Sequence, residues 1–292
     1  MSLDMDRIQK AIKRVDKFLK NAPKNPTPEN IHDVRTSTRR LESALRSLKV
    51  GKPKKRLLRH LPHIRKACGR IRDMDVLAEL AMCVRPNQDD KECLVQLLHY
   101  LGAKRSRHAK KLQRVAKKER PRVRRELTLL TSKLAKLAAA KGKPSFVNDA
   151  PKSSTLVQLA SELKRPQRLN QANLHEYRKK VKDLRYTLQL SEEAQNAQIV
   201  EMLGTAKDAI GEWHDWQQLV KIASDLLDQG PEAGLVHQLK KVSDQKFQQA
   251  LAITNTLRAT YLNVKQSHGK SRDRSIPFPV SVAQSAMQAE GV

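Results

Sequence analysis

An all-α protein built from two similar four-helix bundles is what this 292-residue sequence predicts. Three observations point there. Apolar residues make up 39% of the chain with only 3% aromatics, and they recur at three- and four-residue spacing, the period of an amphipathic helix. Prolines and glycines punctuate long charged and apolar stretches instead of bounding short alternating strands. Finally, NIHDVRTSTRRLE at 30–42 returns as NLHEYRKKVKDLR at 173–185, so one His-x-x-Arg-x-x-x-[Arg/Lys] helix occurs twice.

Taken in order, Met5, Ile8, Ile12, Val15 and Leu19 predict an opening amphipathic helix. NAPKNPTPEN breaks it. There Thr27 is a capping residue, Pro28 suits a first helical position, and Glu29 favours the positive end of a helix. The helix so started carries the first motif and is expected to stop near VGKP, with Gly51 and Pro53 as terminators. A further helix covers KKRLLRHLPHIRKACGRIRDMDVLAEL, with Leu57, Leu61, Ile64, Cys68 and Ile71 on one face; Pro62 inside it predicts a kink or a break. Long basic helices follow from about Lys91 to Ala140, with an interruption expected near Pro121. KGKPSFVNDAPKSS then reads as a linker. The last stretch, KQSHGKSRDRSIPFPVSVAQSAMQAEGV, loses helical periodicity and reads as a disordered tail.

After the linker the pattern restarts in register. An offset of 143 places His32 on His175, Arg35 on Arg178, Arg39 on Lys182 and Leu41 on Leu184. An offset of 142 places CGRIRDMDVLAEL (68–80) on IGEWHDWQQLVKI (210–222), pairing Gly69 with Gly211, Arg72 with His214 and Asp73 with Asp215. The period is far longer than a solenoid repeat. The expected organisation is a first half at 1–143, a second half at 144–264, and a tail at 265–292. About four helices belong to each half, and a pseudo-twofold axis is expected to relate them.

Charge narrows the function. Fifty-eight Lys and Arg against 30 Asp and Glu give +28, with +25 of it in residues 1–143. Such a field recruits polyanions: nucleic acid, an anionic membrane or polyphosphate. No run of 18 apolar residues offers a membrane span, and MSLDMDRIQK lacks the apolar core of a secretion signal. Cys68, Cys83 and Cys93 form no CxxC pair and no even disulfide set, which fits a reducing, cytoplasmic location.

At 100° per residue, His32, Arg35, Arg39 and Arg46 fall within roughly 60° of one another, along ~21 Å of helix. His175, Arg178, Lys182 and Arg185 repeat that face. A row of cations along an axis suits an extended, repeating anion, whose successive phosphates guanidinium groups can grip. The histidines add a donor when neutral and a charge when protonated. The competing explanation is a solvated face held by local salt bridges, such as Glu42 with Arg39 and Arg46. Recurrence in register weighs against it. Arg40, Arg65, Arg72, Arg105 and His214 complete the candidate binding set, with Arg107, Lys111 and Arg114 behind them. Gly69 and Gly211 read as helix-packing or helix-end positions, and Asp73 and Asp215 equally as acceptors that orient Arg72 and His214 or as members of ordinary intrahelical pairs.

IHDVRTSTRRLESALR with GRIRDMDVL, and LHEYRKKVKDLRYTL with LGTAKDAIGEWHDW, resemble the CHAD domain family, over about residues 5–262. The resemblance implies two four-helix bundles around a basic central channel or groove that binds inorganic polyphosphate without catalysis. No cofactor, no metal and no catalytic residue is implied, and polyphosphate granules are a destination consistent with such binding. Two positions depart from the family pattern: Glu42 stands ten residues after the first motif His, and Asp183 eight after the second, both where the family is basic. An asymmetric binding surface is therefore expected.

Two rival functions come from the residues themselves. His32–Asp33 and His214–Asp215 are HD pairs, as in metal-dependent phosphohydrolases, and HLPH adds His60 and His63. Adjacent residues on a helix point ~100° apart, so an HD pair alone chelates poorly, and the two pairs occupy different positions of the repeat. Pro62 leaves the HLPH geometry open. Nucleic-acid binding through phosphates is the other rival; four Phe, four Tyr and two Trp are too few for a stacking platform.

Overall fold

The computed structural model describes residues 5–20, 26–47, 51–85, 87–139, 153–190, 197–227 and 234–262. Among these the chain is all-helical. In order come α1 (Met5–Lys20), α2 (Pro28–Ser47), α3 (Lys52–Met82), α4 (Lys91–Ala139), α5 (Ser153–Lys164), α6 (Leu174–Leu190), α7 (Ala197–Leu226) and α8 (Gly234–Leu262), with a single 3-10 turn at Gln88–Asp90. The expected tail and most of the expected linker lie outside the described residues.

Local chemistry starts these helices as the sequence suggests. Thr27 Oγ1 accepts the Asn30 N–H at 3.3 Å ahead of Pro28, satisfying one of the donors that every helix start leaves free. At α6 the cap is reciprocal: Asn170 Oδ1 accepts from the N–H groups of Ala172 and Asn173, while Asn173 Oδ1 accepts from Asn170. Gly51 and Pro53 do a different job from the one expected. α2 ends at Ser47, and Gly51, at φ 70°, turns the chain into α3, whose first turn contains Pro53.

The breaks expected at Pro62 and Pro121 do not occur. α3 runs through Pro62, and α4 runs through Pro121 for 49 residues, about 73 Å at the helical rise. A proline deletes one intrahelical hydrogen bond and crowds the preceding turn. At Pro121 the ring and Lys117 are both exposed, so water can serve the freed carbonyl of Lys117. Buried Leu57, Leu61 and Ile64 bracket Pro62, and Val123, Leu127 and Leu130 follow Pro121. Packing on both sides offsets the local loss.

Three apolar cores result. One joins α1–α4 around Leu19, Ile31, Leu41, Leu61 and Ile71. Another joins α5–α8 around Leu174, Tyr177, Val181, Ile210 and Trp213. The third is shared: Met74, Leu77 and Ala81 of α3 and Leu97 and Leu101 of α4 meet Trp216, Leu219 and Ala223 of α7 and Leu235 and Leu239 of α8. α3 packs directly on α7, so the third core fixes how the two motif helices sit relative to each other.

A polar contact reinforces that junction. Asp90, buried in the 3-10 turn before α4, accepts the Leu235 N–H at 2.9 Å and so caps the first turn of α8. Its charge also suits the positive end of that helix. Asp90→Ala should lower unfolding stability by about 1–2 kcal/mol, and Asp90→Asn, which keeps an acceptor, by less than half of that; urea denaturation midpoints measure both.

Candidate cation site between the motif helices

The arginines of the motif lie across neighbouring helices, at glycines. Arg178 of α6 crosses α7 at Gly211, where a methyl group would stand 2.5 Å from its guanidinium, and its Nε donates to the Lys207 carbonyl at 3.1 Å. Seven residues along α6 and seven back along α7 the arrangement repeats. Arg185 crosses at Gly204 and donates from Nε to the Val200 carbonyl at 3.3 Å. Opposite steps on the two helices mean that α6 and α7 run antiparallel, and two helical turns separate the crossings. Arg35 of α2 crosses α3 at Gly69 in the position matching Arg178, more loosely, with 3.7 Å to an added methyl. Gly211 is thus a packing position in a specific sense, the missing side chain being the arginine's seat, whereas Gly69 leaves room for a methyl group beneath Arg35.

The second crossing differs between the halves. At the position matching Arg185 stands Glu42, and Pro62 stands where Gly204 would match. Buried Glu42 takes both of its oxygens to Arg65 Nε, at 3.0 and 3.1 Å. Glu42 thus pairs across helices, with Arg65 and not with Arg39; the Arg46 side chain, its other expected partner, lies outside the described residues.

Electrostatics shows which side chains meet across the junction. Lys182 is held below the ordinary lysine range by burial, then by the charge of Arg39, against the pull of Asp183, with Arg178 and Arg65 adding to the depression. Arg39 and Arg65 belong to α2 and α3, and Lys182 to α6, so the two stripes feel each other. Arg35 is lowered by burial and by Arg39, opposed by Asp73, with Arg65 adding a little. At the middle, Asp215 is pushed up to about 6, by burial first; Arg178 opposes the rise, Asp73 adds to it, and Arg72 and Arg35 also oppose. Asp73 is raised by burial against Arg35 and Arg72, although its side chain remains accessible to solvent. Asp73 and Asp215 occupy equivalent places in the repeat, and Asp73 is near enough to raise Asp215.

The histidine of the second motif pairs with a ring from α7. His175 and His214 stand 4.5 Å apart between centroids, and neither Nδ1 has a hydrogen-bond partner among the described residues. The Gln218 amide meets His214 Nε2 at 2.8 Å. Burial, His175 and Arg178 lower the His214 pKa, and a hydrogen bond with Gln217 opposes them. In the first half the matching positions are His32, exposed on α2, and Arg72, whose Nη1 donates to Glu79 at 3.1 Å.

Arg39 and Arg40 are exposed on adjacent faces of α2. Arg105 stands apart from the predicted set. Its Nε is bound by buried Asp75 and its Nη2 by the Pro26 carbonyl, so it ties α4 to α3 and to the turn before α2. Asp75 follows Asp73 by two residues and therefore points away from it. Neither HD pair assembles a metal-ligand set among the described residues: Asp33 faces Arg14 at 4.0 Å, and Asp215 lies among Arg178, Arg72 and Arg35. Sequence reasoning missed Gly204 as an arginine seat; the signal was its place seven residues before Gly211, against Arg185 seven after Arg178.

Half-buried and exposed cations of two helix pairs thus approach one another in an all-helical protein. A family model for the CHAD domain matches residues 8–253, and the chain belongs to that family. A comparison with the curated proteins finds no match.

Two tests follow from the geometry. An acid whose pKa rises on folding holds its proton more tightly when folded, so stability falls as pH climbs from 3.8 toward about 6 and the deficit is complete above that. Asp215→Asn should therefore raise stability at neutral pH by on the order of 1–3 kcal/mol and give no gain below pH 3.8, read from urea midpoints across pH. Gly211→Ala should displace the Arg178 guanidinium and weaken anion binding without removing a charge, whereas Gly69→Ala should bind as wild type and gain up to about 1 kcal/mol of stability, measured by calorimetry and denaturation.

Proposed function

We propose that this protein binds inorganic polyphosphate without catalysis, one chain lying between the α2–α3 and α6–α7 helix pairs. The observation that carries this is the approach of like charges across the junction: Lys182, lowered first by burial, is lowered further by Arg39 and, more weakly, by Arg65 from the opposite helix pair. Like charges held close, with Arg35, Arg178 and Arg185 fixed over glycines, are relieved by an anion that reaches all of them. A compact phosphate at one helix end would satisfy only one stripe. An extended polyphosphate has an oxygen for each guanidinium and no base to accommodate. On this reading residues 1–143 and 144–264 are duplicated halves of one binding unit. Family membership supports the ligand class, since CHAD domains are associated with polyphosphate and triphosphate binding.

The bound chain meets an asymmetric surface. The first half contributes Arg35, Arg39 and Arg72 but spends Arg65 on Glu42. The second offers Arg178, Lys182 and Arg185, with the His175–His214 pair as further donors. Cytoplasmic polyphosphate, free or in granules, is the natural partner of such a site. Phosphate-backbone binding of RNA or DNA is the second reading, favoured by net charge alone.

Titration with long-chain polyphosphate beside RNA, DNA and ATP, matched in phosphate and repeated at several salt concentrations, separates the readings. Polyphosphate should bind tightest and survive physiological salt. Arg35→Ala and Arg178→Ala should each weaken it by about tenfold or more, the loss of one charge-assisted contact, and each should flatten the salt dependence. Equal affinities for all polymers, collapsing together as salt rises, would leave only a basic surface.

A further inference from the structure

On the face of α3 turned away from Arg65, two histidines and a buried carboxylate converge. α3 is continuous through Pro62, so His60 and His63, three residues apart, stand on one face toward α4. Glu119 of α4 reaches both: Oε2 is 2.8 Å from His60 Nδ1, and Oε1 is 3.0 Å from His63 Nδ1. The three ligand atoms lie within 4.8 Å of one another. The HLPH geometry that the sequence left open is thus settled, and the third member comes from a helix the motif does not reveal.

We infer that His60, His63 and Glu119 form a zinc-binding site that clamps α3 to α4. Two imidazoles and a carboxylate are a donor set that zinc takes with a fourth position left for an oxygen ligand. Ligand atoms around a tetrahedral zinc stand roughly 3.3 Å apart, from bonds of about 2.0–2.1 Å, so a small closing of the three side chains brings this set to a metal. The second observation is a sparsely met one. Glu119 has a side chain only 3% exposed, yet its Oε2 and His60 Nδ1 have no partner beyond their mutual ion pair. A buried acceptor left so is costly unless something else meets it.

The surroundings are basic: Arg59, Lys118 and Arg122 line the same pocket. Two further guanidiniums there, Arg56 and Arg125, are taken up by buried Glu126 at 3.0 and 3.2 Å. That field works against a divalent cation that the Glu119 carboxylate alone must offset, and it favours an anionic fourth ligand such as hydroxide.

The test uses the full chain, stripped with a chelator and titrated with zinc chloride at neutral pH, free of phosphate and polyphosphate. One saturable equivalent is expected, with a rise in melting temperature and, for cobalt in its place, the visible absorption of a tetrahedral site. His63→Ala, at an exposed ring that the fold does not need, should weaken zinc at least tenfold and abolish the thermal gain; His60→Ala should do the same. His237→Ala, an exposed histidine elsewhere, should change nothing. Absence of saturable binding, or binding and thermal gain undiminished in His63→Ala, would overturn the site and leave only His–Glu ion pairs. Should Glu119→Gln fail to fold, the His63 variant still decides.

Discussion

Repulsion between fixed like charges is the constraint around which this molecule is built. Two unit charges about 4 Å apart cost roughly 1 kcal/mol in water and about 4 kcal/mol near a protein surface. The fold brings Arg39 and Arg65 toward Lys182 all the same, and Arg39 toward Arg35 within the first helix pair. What opposes the repulsion is apolar and local. The shared core around Leu77, Trp216, Leu219 and Leu235 holds the two helix pairs together, and Asp90 caps α8 across the same junction. Glycines in α7 let Arg178 and Arg185 lie flat, where neighbouring carbonyls take up part of their donor capacity. Asp73 and Asp215 soften the field at the centre, where burial first and then Asp73 raise Asp215.

Much of this was legible in the sequence because helical periodicity is local. The apolar spacing gave the helices, and the repeat pointed to Arg35 and Arg178, Gly69 and Gly211, and Asp73 and Asp215 as equivalent pairs. What was not legible depended on neighbours in space. Pro62 and Pro121 look like breakers until the buried leucines beside them are seen to hold the helix. Arg105 looks like one more cation until Asp75 and the Pro26 carbonyl claim it. Glu42 reads as a gap in the stripe, but its partner Arg65 comes from α3, out of reach of any spacing rule within α2. The His60–His63–Glu119 cluster needs a residue more than fifty positions away.

The two halves are alike in plan and unlike in charge. The second keeps two arginine crossings, while the first replaces one by an ion pair. Yet the first half holds most of the net charge, much of it along α4 and the exposed face of α3. On the proposed function, the long-range field that would attract a polyanion comes chiefly from one half, and the ordered contacts that would grip it are divided between both.

The account stands or falls on one chain engaging both stripes at once, and affinity measured against polyphosphates of graded length tests that most directly. If α2 and α6 share a single chain, affinity climbs steeply with length until the polymer reaches both stripes, then levels, at one chain per protein. Affinity per phosphate that stays flat from triphosphate upward, or two short chains binding as tightly as one long one, would contradict it.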